Sequence, residues 1–380
     1  MSDTAIQRPV KLSCKHLWKV YGDKPQQFIN SSLTAESVSD IDQLASSMRQ
    51  KNHMPAAIDV SFDVREGEIF VIMGLSGSGK STVVRCLSRL VDATHGEVLL
   101  DGEDLLAKNN RELIEIRRHK MGMVFQNFGL LPNLSVYENV AFPLKLQKMS
   151  EQQQREKASR VIELVGLTDR ENSFPHQLSG GQQQRVGIAR SLAVEPDVWF
   201  LDEPFSALDP LIRRQMQDEF LRIQQVLNKS IVFITHDFLE ALRIADRIAI
   251  MRDGKIVQID TPQALILNPA DDYVAKFTSE VPKIKILQAD QCMQDLPAID
   301  NARVSGDSQT DIDAHLPLEK VLQIFSTNAD VEQLRVLNAQ KESIGIVTAK
   351  SIVNTLGMGL DKGLDQSDKM SQSSQHTQAV

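Results

Sequence analysis

A glycine-rich loop between an apolar run and a helical segment constrains the fold of this chain more than any other feature. Residues 69–73 are all apolar, which is typical of a strand buried on both faces, and a helical pattern begins at Thr82. The loop matches G-x-x-x-x-G-K-S and comprises, with the residue that follows it, Gly74, Leu75, Ser76, Gly77, Ser78, Gly79, Lys80, Ser81 and Thr82. A strand, this loop and a helix in that order predict a binding site for the phosphates of a nucleotide.

The residue types in this loop suit phosphate chemistry. Glycines let the backbone curl so that successive N–H groups face an anion, and the following helix adds the positive end of its dipole. We expect Lys80 to reach the β- and γ-phosphates and the Ser81 hydroxyl to bind Mg²⁺, which prefers oxygen ligands. A structural glycine turn is the alternative, and the match at all eight positions disfavours it.

Two further apolar runs end in polar side chains that fit the same chemistry. Residues 198–201 lead into Asp202 and Glu203, and residues 231–235 lead into His236. Open α/β sheets bind ligands at the carboxyl ends of their strands, so we expect all three side chains beside the phosphates. Asp202 would then hold Mg²⁺, Glu203 would activate the attacking water as general base, and His236 would orient that water and Glu203. A solvated acidic turn and a structural histidine are the alternatives.

The pattern of the chain predicts an α/β fold. Apolar runs alternate with helical segments over residues 57–260, which indicates a mainly parallel sheet covered by helices. Residues 28–55 form an inserted segment, and its apolar residues recur at the spacing of a short amphipathic helix: Val38, Ile41, Leu44 and Met48.

Composition limits the possible partners and environments. The net charge of −8 argues against a nucleic-acid partner, which needs a basic surface. Three widely separated cysteines predict neither a disulfide framework nor a zinc site. No apolar run approaches the ~20 residues that span a bilayer, so any membrane association is expected to come from a partner.

A second anion site precedes another helical segment, residues 182–192. Its residues follow Leu178 and are Ser179, Gly180, Gly181 and Gln182. One nucleotide has one γ-phosphate, which the first loop already holds. The second site therefore predicts a nucleotide carried by another copy of the chain.

The sequence Leu-Ser-Gly-Gly-Gln at 178–182 resembles the signature of ABC transporter ATP-binding subunits, and the resemblance extends over about residues 11–280. It implies that two copies close head to tail over two ATP molecules. It also implies that Gln126 senses Mg²⁺ and the γ-phosphate, that Asp209 lies in a loop crossing the dimer interface, and that His236 is the switch histidine. Tyr21 matches the aromatic that stacks on adenine, with Trp18 as the other aromatic nearby.

The resemblance further implies a P-loop NTPase domain over residues 1–280, with a RecA-like core, an antiparallel β subdomain and a helical subdomain at about 122–190. Its cofactors are ATP and Mg²⁺. Its partners are a second copy, transmembrane permease subunits and, indirectly, a solute-binding protein, which implies a peripheral location on the cytoplasmic face of the membrane. The segment 127–137 is expected to meet the permease, with core packing as the alternative for its apolar residues Phe128, Leu130, Leu131 and Leu134.

Residues 68–82 and 205–213, together with the insertion, resemble the importers for glycine betaine, proline betaine and choline. The expected function is therefore ATP hydrolysis that drives uptake of a quaternary ammonium osmolyte. Importers of other solutes, such as an amino acid or a polyamine, stay open. ABC proteins that act on ribosomes or DNA are disfavoured, because the chain has one cassette and Ser179 lies only 99 positions after Lys80.

Members of this subgroup often end in two CBS motifs, whereas residues 281–360 contain a match to one, so the CBS-like tail is expected to be incomplete. The pattern predicts a helix at 318–325, strands at 334–337 and 344–348, and a helix from Ser351. A first motif near 281–305 is short. Regulation by this CBS-like tail and simple support of dimerisation are equally open, and residues 361–380 have a composition typical of disorder.

Overall fold

A computed structural model describes residues 8–30, 38–126, 129–279, 281–294, 310–328 and 331–357. The chain divides into two compact units, Met1–Pro262 and Gln263–Val380. The division lies N-terminal to the boundary expected at residue 280. Leu267, between the two positions, packs against the apolar cluster of the second unit.

The strands of the first unit, in chain order, are β1 (Val10–Tyr21), β2 (Met54–Arg65), β3 (Ile69–Met73), β4 (His95–Leu100), β5 (Glu103–Asp104), β6 (Met121–Val124), β7 (Val198–Asp202), β8 (Ser230–Thr235), β9 (Arg247–Arg252) and β10 (Lys255–Asp260). Its helices are α1 (Gln26–Asn30), α2 (Val38–Gln50), α3 (Lys80–Leu87), α4 (Asn110–His119), α5 (Val136–Leu146), α6 (Glu151–Leu164), α7 (Gly180–Leu192), α8 (Pro210–Leu227) and α9 (Phe238–Ile244).

A six-stranded sheet in the order β10-β9-β3-β8-β7-β6 forms the centre of this unit. Its neighbours pair in parallel except for the β9–β10 hairpin. Strands β3, β7 and β8 are buried at every residue, which explains why each is almost continuously apolar. Met73 pairs with Thr235, and Asp202 with Ile234, so the three strands end at one edge of the sheet.

A four-stranded antiparallel sheet, in the order β2-β1-β4-β5, lies in the same unit. The inserted helix α2 packs on it, and the apolar cluster they share comprises Trp18, Val20, Leu44, Ala45, Met48 and Ile58. The amphipathic helix expected from the spacing of Ile41, Leu44 and Met48 is therefore confirmed. An ion pair between Asp42 and Lys255 also attaches α2 to the β9–β10 hairpin.

Helices α5, α6 and α7 pack on one another. Each begins with a serine whose side chain forms a capping box, at Ser135, Ser150 and Ser179. Within the described ranges, no helix is both long enough and apolar enough to cross a bilayer.

The second unit contains helices α10 (Pro262–Leu267), which begins at the division, α11 (Asp272–Ser279), α12 (Leu318–Thr327) and α13 (Ala349–Gly357), and strands β11 (Thr310–Asp313), β12 (Gln333–Leu337) and β13 (Ser343–Thr348). Strand β12 is central, parallel to β11 and antiparallel to β13. The order β11-α12-β12-β13-α13 includes the four elements expected for one CBS-like motif. Residues 281–294 contain two short 3-10 turns, Lys283–Lys285 and Ala289–Gln291, and the rest of the weaker first motif lies outside the described residues, as do 361–380.

Candidate nucleotide-binding and hydrolytic site

The glycine-rich loop turns sharply between β3 and α3. Gly74, Gly77 and Gly79 have positive φ angles of 152°, 80° and 102°. A Cβ at Gly79 would collide with the carbonyl oxygen of Ala56, whereas a Cβ at Gly77 would meet no atom within 4 Å. Glycine is therefore required at position 79 for space as well as for conformation.

Lys80 lies at the mouth of this loop. Its Nζ donates to the carbonyl oxygens of Gly74, at 2.8 Å, and Leu75, at 2.9 Å. Burial lowers the pKa of Lys80, and the negative charges of Glu203 and Asp202 oppose that shift. The ammonium group is thus held among acceptors that a phosphate oxygen could replace.

The two residues expected to bind Mg²⁺ through oxygen are in contact. The hydroxyl of Ser81 donates to Asp202 Oδ1 at 3.0 Å. Burial raises the pKa of Asp202, while this hydrogen bond and the charge of Arg85 lower it. A hydroxyl and a carboxylate at this distance form a hard oxygen pair of the kind that Mg²⁺ accepts.

Three expected catalytic side chains meet at one oxygen atom. Gln126 Nε2 donates to Glu203 Oε2 at 3.3 Å, and His236 Nδ1 lies 3.2 Å from the same oxygen. Glu203 has a φ of 47°, and its N–H donates to Ile234 O at 3.1 Å. The hydrogen bonding between β7 and β8 therefore continues one residue past the end of β7. Glu203 itself has a positive φ angle, which residues other than glycine rarely adopt.

A cavity of about 600 Å³ joins the loop to these side chains. Its lining residues are Tyr21, Met54, Ala56, Leu75, Ser76, Gly77, Gly79, Lys80, Ser81, Thr82, Gln126, Glu203 and His236. Tyr21 is 42% exposed, whereas Trp18 is buried in the cluster with α2, so Tyr21 is the aromatic available to a base. Met54 and Ala56 were missed by the sequence reasoning, although Met54 is the strand partner of Tyr21.

Within the described chain, the lining of this cavity includes neither residues 179–182 nor Asp209. These two groups lie next to each other instead. Ser179 caps α7 and Asp209 caps α8, and a Cβ at Gly181 would come within 2.8 Å of Ile212 in the first turn of α8. The second anion site and the Asp209 loop therefore form one surface that does not contribute to this cavity.

A second cavity, of about 550 Å³, has a largely apolar lining and is here called the α4–α5 groove. Its side chains include Ile114, Phe125, Leu131, Phe142 and Leu146, together with Arg117, Arg118 and Arg190. Of the four apolar residues expected to meet a permease, Leu131 lines the groove. Leu130 and Leu134 are half-buried outside its lining, and Phe128 lies outside the described residues.

Comparison with known proteins decides the family. The family model described as ABC transporter matches residues 58–206. The trimethylamine N-oxide transport system ATP-binding protein TmoW of Pelagibacter ubique (strain HTCC1062) is 49% identical over 356 residues, covering 94% of this chain and 98% of that protein. The chain belongs to the ABC transporter ATP-binding subunits. It is therefore an ATPase with the P-loop NTPase fold expected from its sequence.

Two further comparisons place this ABC subunit among its relatives. The glycine betaine/proline betaine transport system ATP-binding protein ProV of Escherichia coli (strain K12) is 47% identical over 271 residues, covering 70% of this chain and 66% of that protein. The ATP-binding cassette MJ0796, solved as a dimer in a post-hydrolysis state bound to ADP and Pi, aligns with a TM-score of 0.54 and 32% identity. That alignment covers 66% of this chain and 98% of the cassette.

Proposed function

We propose that this ABC subunit hydrolyses ATP to drive import of a small methylated-amine osmolyte, of the trimethylamine N-oxide and betaine class, through a partner permease. The observation that carries the hydrolytic part is the meeting of Gln126 and His236 at the carboxylate of Glu203, beside Lys80 in one cavity. The transport part rests on similarity to relatives named for trimethylamine N-oxide and for betaines.

ATP would lie with its base against Tyr21 and its phosphates in the loop 74–79. Met54, which is 62% exposed, would flank the base on the neighbouring strand. Lys80 would leave the carbonyls of Gly74 and Leu75 for phosphate oxygens. Ser81 and Asp202, with Gln126, would hold Mg²⁺, which supplies charge neutralisation when bound.

Hydrolysis would proceed by attack of one water on the γ-phosphorus. The new P–O bond forms as the bond to the β-phosphate oxygen breaks, and ADP leaves. Glu203 orients the water and takes up its proton at the carboxylate. Gln126 and His236 fix Glu203 Oε2 by their contacts, so the base is already oriented before the water is bound.

The second anion site supports action as a pair. Residues 179–182 and the Asp209 loop share a surface outside the cavity lining, which suits binding to the nucleotide of another copy. The dimeric form of the related cassette agrees with this arrangement. Closure would enclose each γ-phosphate between two chains, and hydrolysis would remove the group that both chains hold.

The permease would dock in the α4–α5 groove, which has apolar walls and three arginines. This docking would place the subunit at the membrane surface as a peripheral component.

The CBS-like tail would regulate transport, and a truncation that removes residues 285–380 tests this. Unchanged dependence of transport on ionic strength would leave only a structural or dimerising role for the tail.

The transport proposal is tested with the subunit, its permease and its solute-binding protein reconstituted in liposomes. Trimethylamine N-oxide, glycine betaine, proline betaine and choline are supplied in turn, with an amino acid that lacks a methylated amine and a polyamine as comparison solutes, and ATP hydrolysis and solute uptake are measured. We expect at least one of these solutes to stimulate both. Stimulation only by an amino acid without a methylated amine, or by a polyamine, would refute the proposed substrate class and leave the ATPase assignment intact.

A further inference from the structure

Arg213, in the first turn of α8, connects two loops of the hydrolytic site. Its Nε donates to Phe205 O at 3.3 Å and its Nη2 to Leu208 O at 3.1 Å, which holds the backbone around the Asp209 loop. Its Nη1 lies 3.6 Å from Oδ2 of Asp237, the residue that follows His236. One guanidinium thus contacts both the loop 205–209 and the loop 235–237.

Both of these loops also contact the catalytic carboxylate residue. The N–H and the hydroxyl of Ser206 donate to Glu203 O at 3.3 and 3.0 Å. On the other side, His236 Nδ1 lies 3.2 Å from Glu203 Oε2. Together with the backbone of residues 203–208 and 236–237, these contacts close a ring that passes through Glu203, Arg213, Asp237 and His236.

A second set of contacts keeps Asp237 in place. Asp237 caps α9, and its Oδ1 accepts from the N–H of Glu240 at 3.1 Å. The buried carboxylate of Glu240 accepts from Gln217 Nε2 on α8 at 3.0 Å, which joins α9 to the helix that carries Arg213. Burial raises the pKa of Glu240, and the charge of Arg213 is among the influences that lower it.

The planar fork of Arg213 matters more than its charge. The side chains of Arg213 and Asp237 are 30% and 34% exposed, so solvent weakens the ion pair between them. A guanidinium can donate to two carbonyls and face a carboxylate at fixed angles, whereas a lysine ammonium on a flexible stem cannot reproduce that geometry. The ring of contacts therefore depends on arginine at this position.

We propose that Arg213 is a positioning residue that couples the Asp209 loop to His236. When a second copy binds against the Asp209 loop, Arg213 links that loop to Asp237 and so keeps His236 in the contact with Glu203 that the single chain already shows. The second copy would then affect hydrolysis in two ways. It contributes residues 179–182 to the nucleotide of this chain, and it acts on His236 through Arg213. This inference rests on the proposed function, because it requires two copies that close over ATP.

The test compares Arg213→Ala and Arg213→Lys with Arg214→Ala in the full-length chain. Arg214 is the exposed neighbour on the same helix turn and is the matched control. The measurements are the Kd of a fluorescent ATP analogue, kcat and the Hill coefficient for ATP hydrolysis, and ATP-driven dimer formation in a Glu203→Gln background.

For both Arg213 variants we expect kcat to fall at least tenfold and the Hill coefficient to fall from above one to one. The Kd should be retained because Arg213 does not line the nucleotide cavity, and the ATP-driven dimer should be retained because residues 179–182 and Asp209 are unchanged. Wild-type kcat and Hill coefficient in Arg213→Ala or Arg213→Lys would overturn the inference. A loss of ATP binding equal to the loss of kcat would also overturn it, because that result indicates a merely structural role.

Asp237→Asn provides a second route if Arg213→Ala does not fold. It should reproduce the loss of cooperativity, and combining it with Arg213→Lys should cause no further loss, because both changes break the same link. Additive effects would refute the coupling through Asp237. Absence of ATPase activity and of dimers in the wild type would instead count against the proposed function.

Discussion

His236 Nδ1 lies 3.2 Å from Glu203 Oε2, and the same carboxylate oxygen accepts a hydrogen bond from Gln126 at 3.3 Å. A carboxylate held from two sides keeps its orientation without help from the substrate. That arrangement suits a group that must meet a water molecule beside the γ-phosphate.

Substitution of Glu203 by glutamine should abolish most turnover and leave ATP binding intact. The amide cannot accept the proton of the attacking water, and general-base catalysis contributes about 10²–10⁴-fold. Phosphate release and ATP affinity are the measurements. Glu195→Gln, at an exposed carboxylate that pairs with Lys157, should behave as wild type. Wild-type activity in Glu203→Gln would remove Glu203 from the role of base.

Substitution of Lys80 by alanine should weaken ATP binding about 10- to 100-fold, the equivalent of about 1.5–3 kcal/mol for hydrogen bonds to a charged group. The loop would lose the ammonium now held by Gly74 O and Leu75 O. Isothermal titration with ATP measures the change, and Lys15→Ala, at an exposed lysine on β1, is the control. An unchanged Kd would contradict the assignment of the loop.

His53 should contribute to ATP affinity although it does not line the cavity. Its Nε2 lies 2.8 Å from Asp23 O and its Nδ1 2.8 Å from Lys51 O, and the N–H of a neutral ring donates to one of these carbonyls. The ring therefore lies between the segment that follows Tyr21 and the segment that precedes Met54. His53→Ala should raise the Kd for ATP about 2- to 10-fold, the equivalent of one hydrogen bond. His119→Ala, at the exposed end of α4, is the control. An effect on kcat alone would argue against this role.

Glu240 predicts a dependence of stability on pH. Burial raises its pKa in the folded chain, so the folded state favours the protonated carboxyl. The stability that this preference contributes is complete below the ordinary Glu pKa of about 4.3 and is lost as the pH rises through the folded pKa. Glu240→Gln cannot ionise, so its Tm should rise relative to wild type as the pH increases. Parallel Tm curves for the two proteins would contradict this prediction.

The pattern of the chain was sufficient for most of the local elements. The strand, glycine loop and helix at 69–87 were predictable from a short run of sequence. Glycine is required at position 79, where the backbone passes close to Ala56 O, so the fold is visible in the local pattern of glycines. The inserted helix was predictable because one face of it is buried, which imposes helical spacing on Ile41, Leu44 and Met48. The division at Pro262 was not, since it depends on which unit Leu267 packs against.

By itself, the sequence determined the family, the phosphate-binding loop and the residues that end β7 and β8, because each is encoded in a short run of residues. Only the tertiary structure decided which side chains meet. Gln126 and Glu203 are 77 positions apart, and Gln126 Nε2 reaches Glu203 Oε2 because the strands that precede these residues, β6 and β7, are neighbours in the sheet. Long-range packing also decided three other features: Met54 beside Tyr21, the walls of the α4–α5 groove, and Arg213 between two loops. The spacing of residues along the chain does not predict such contacts.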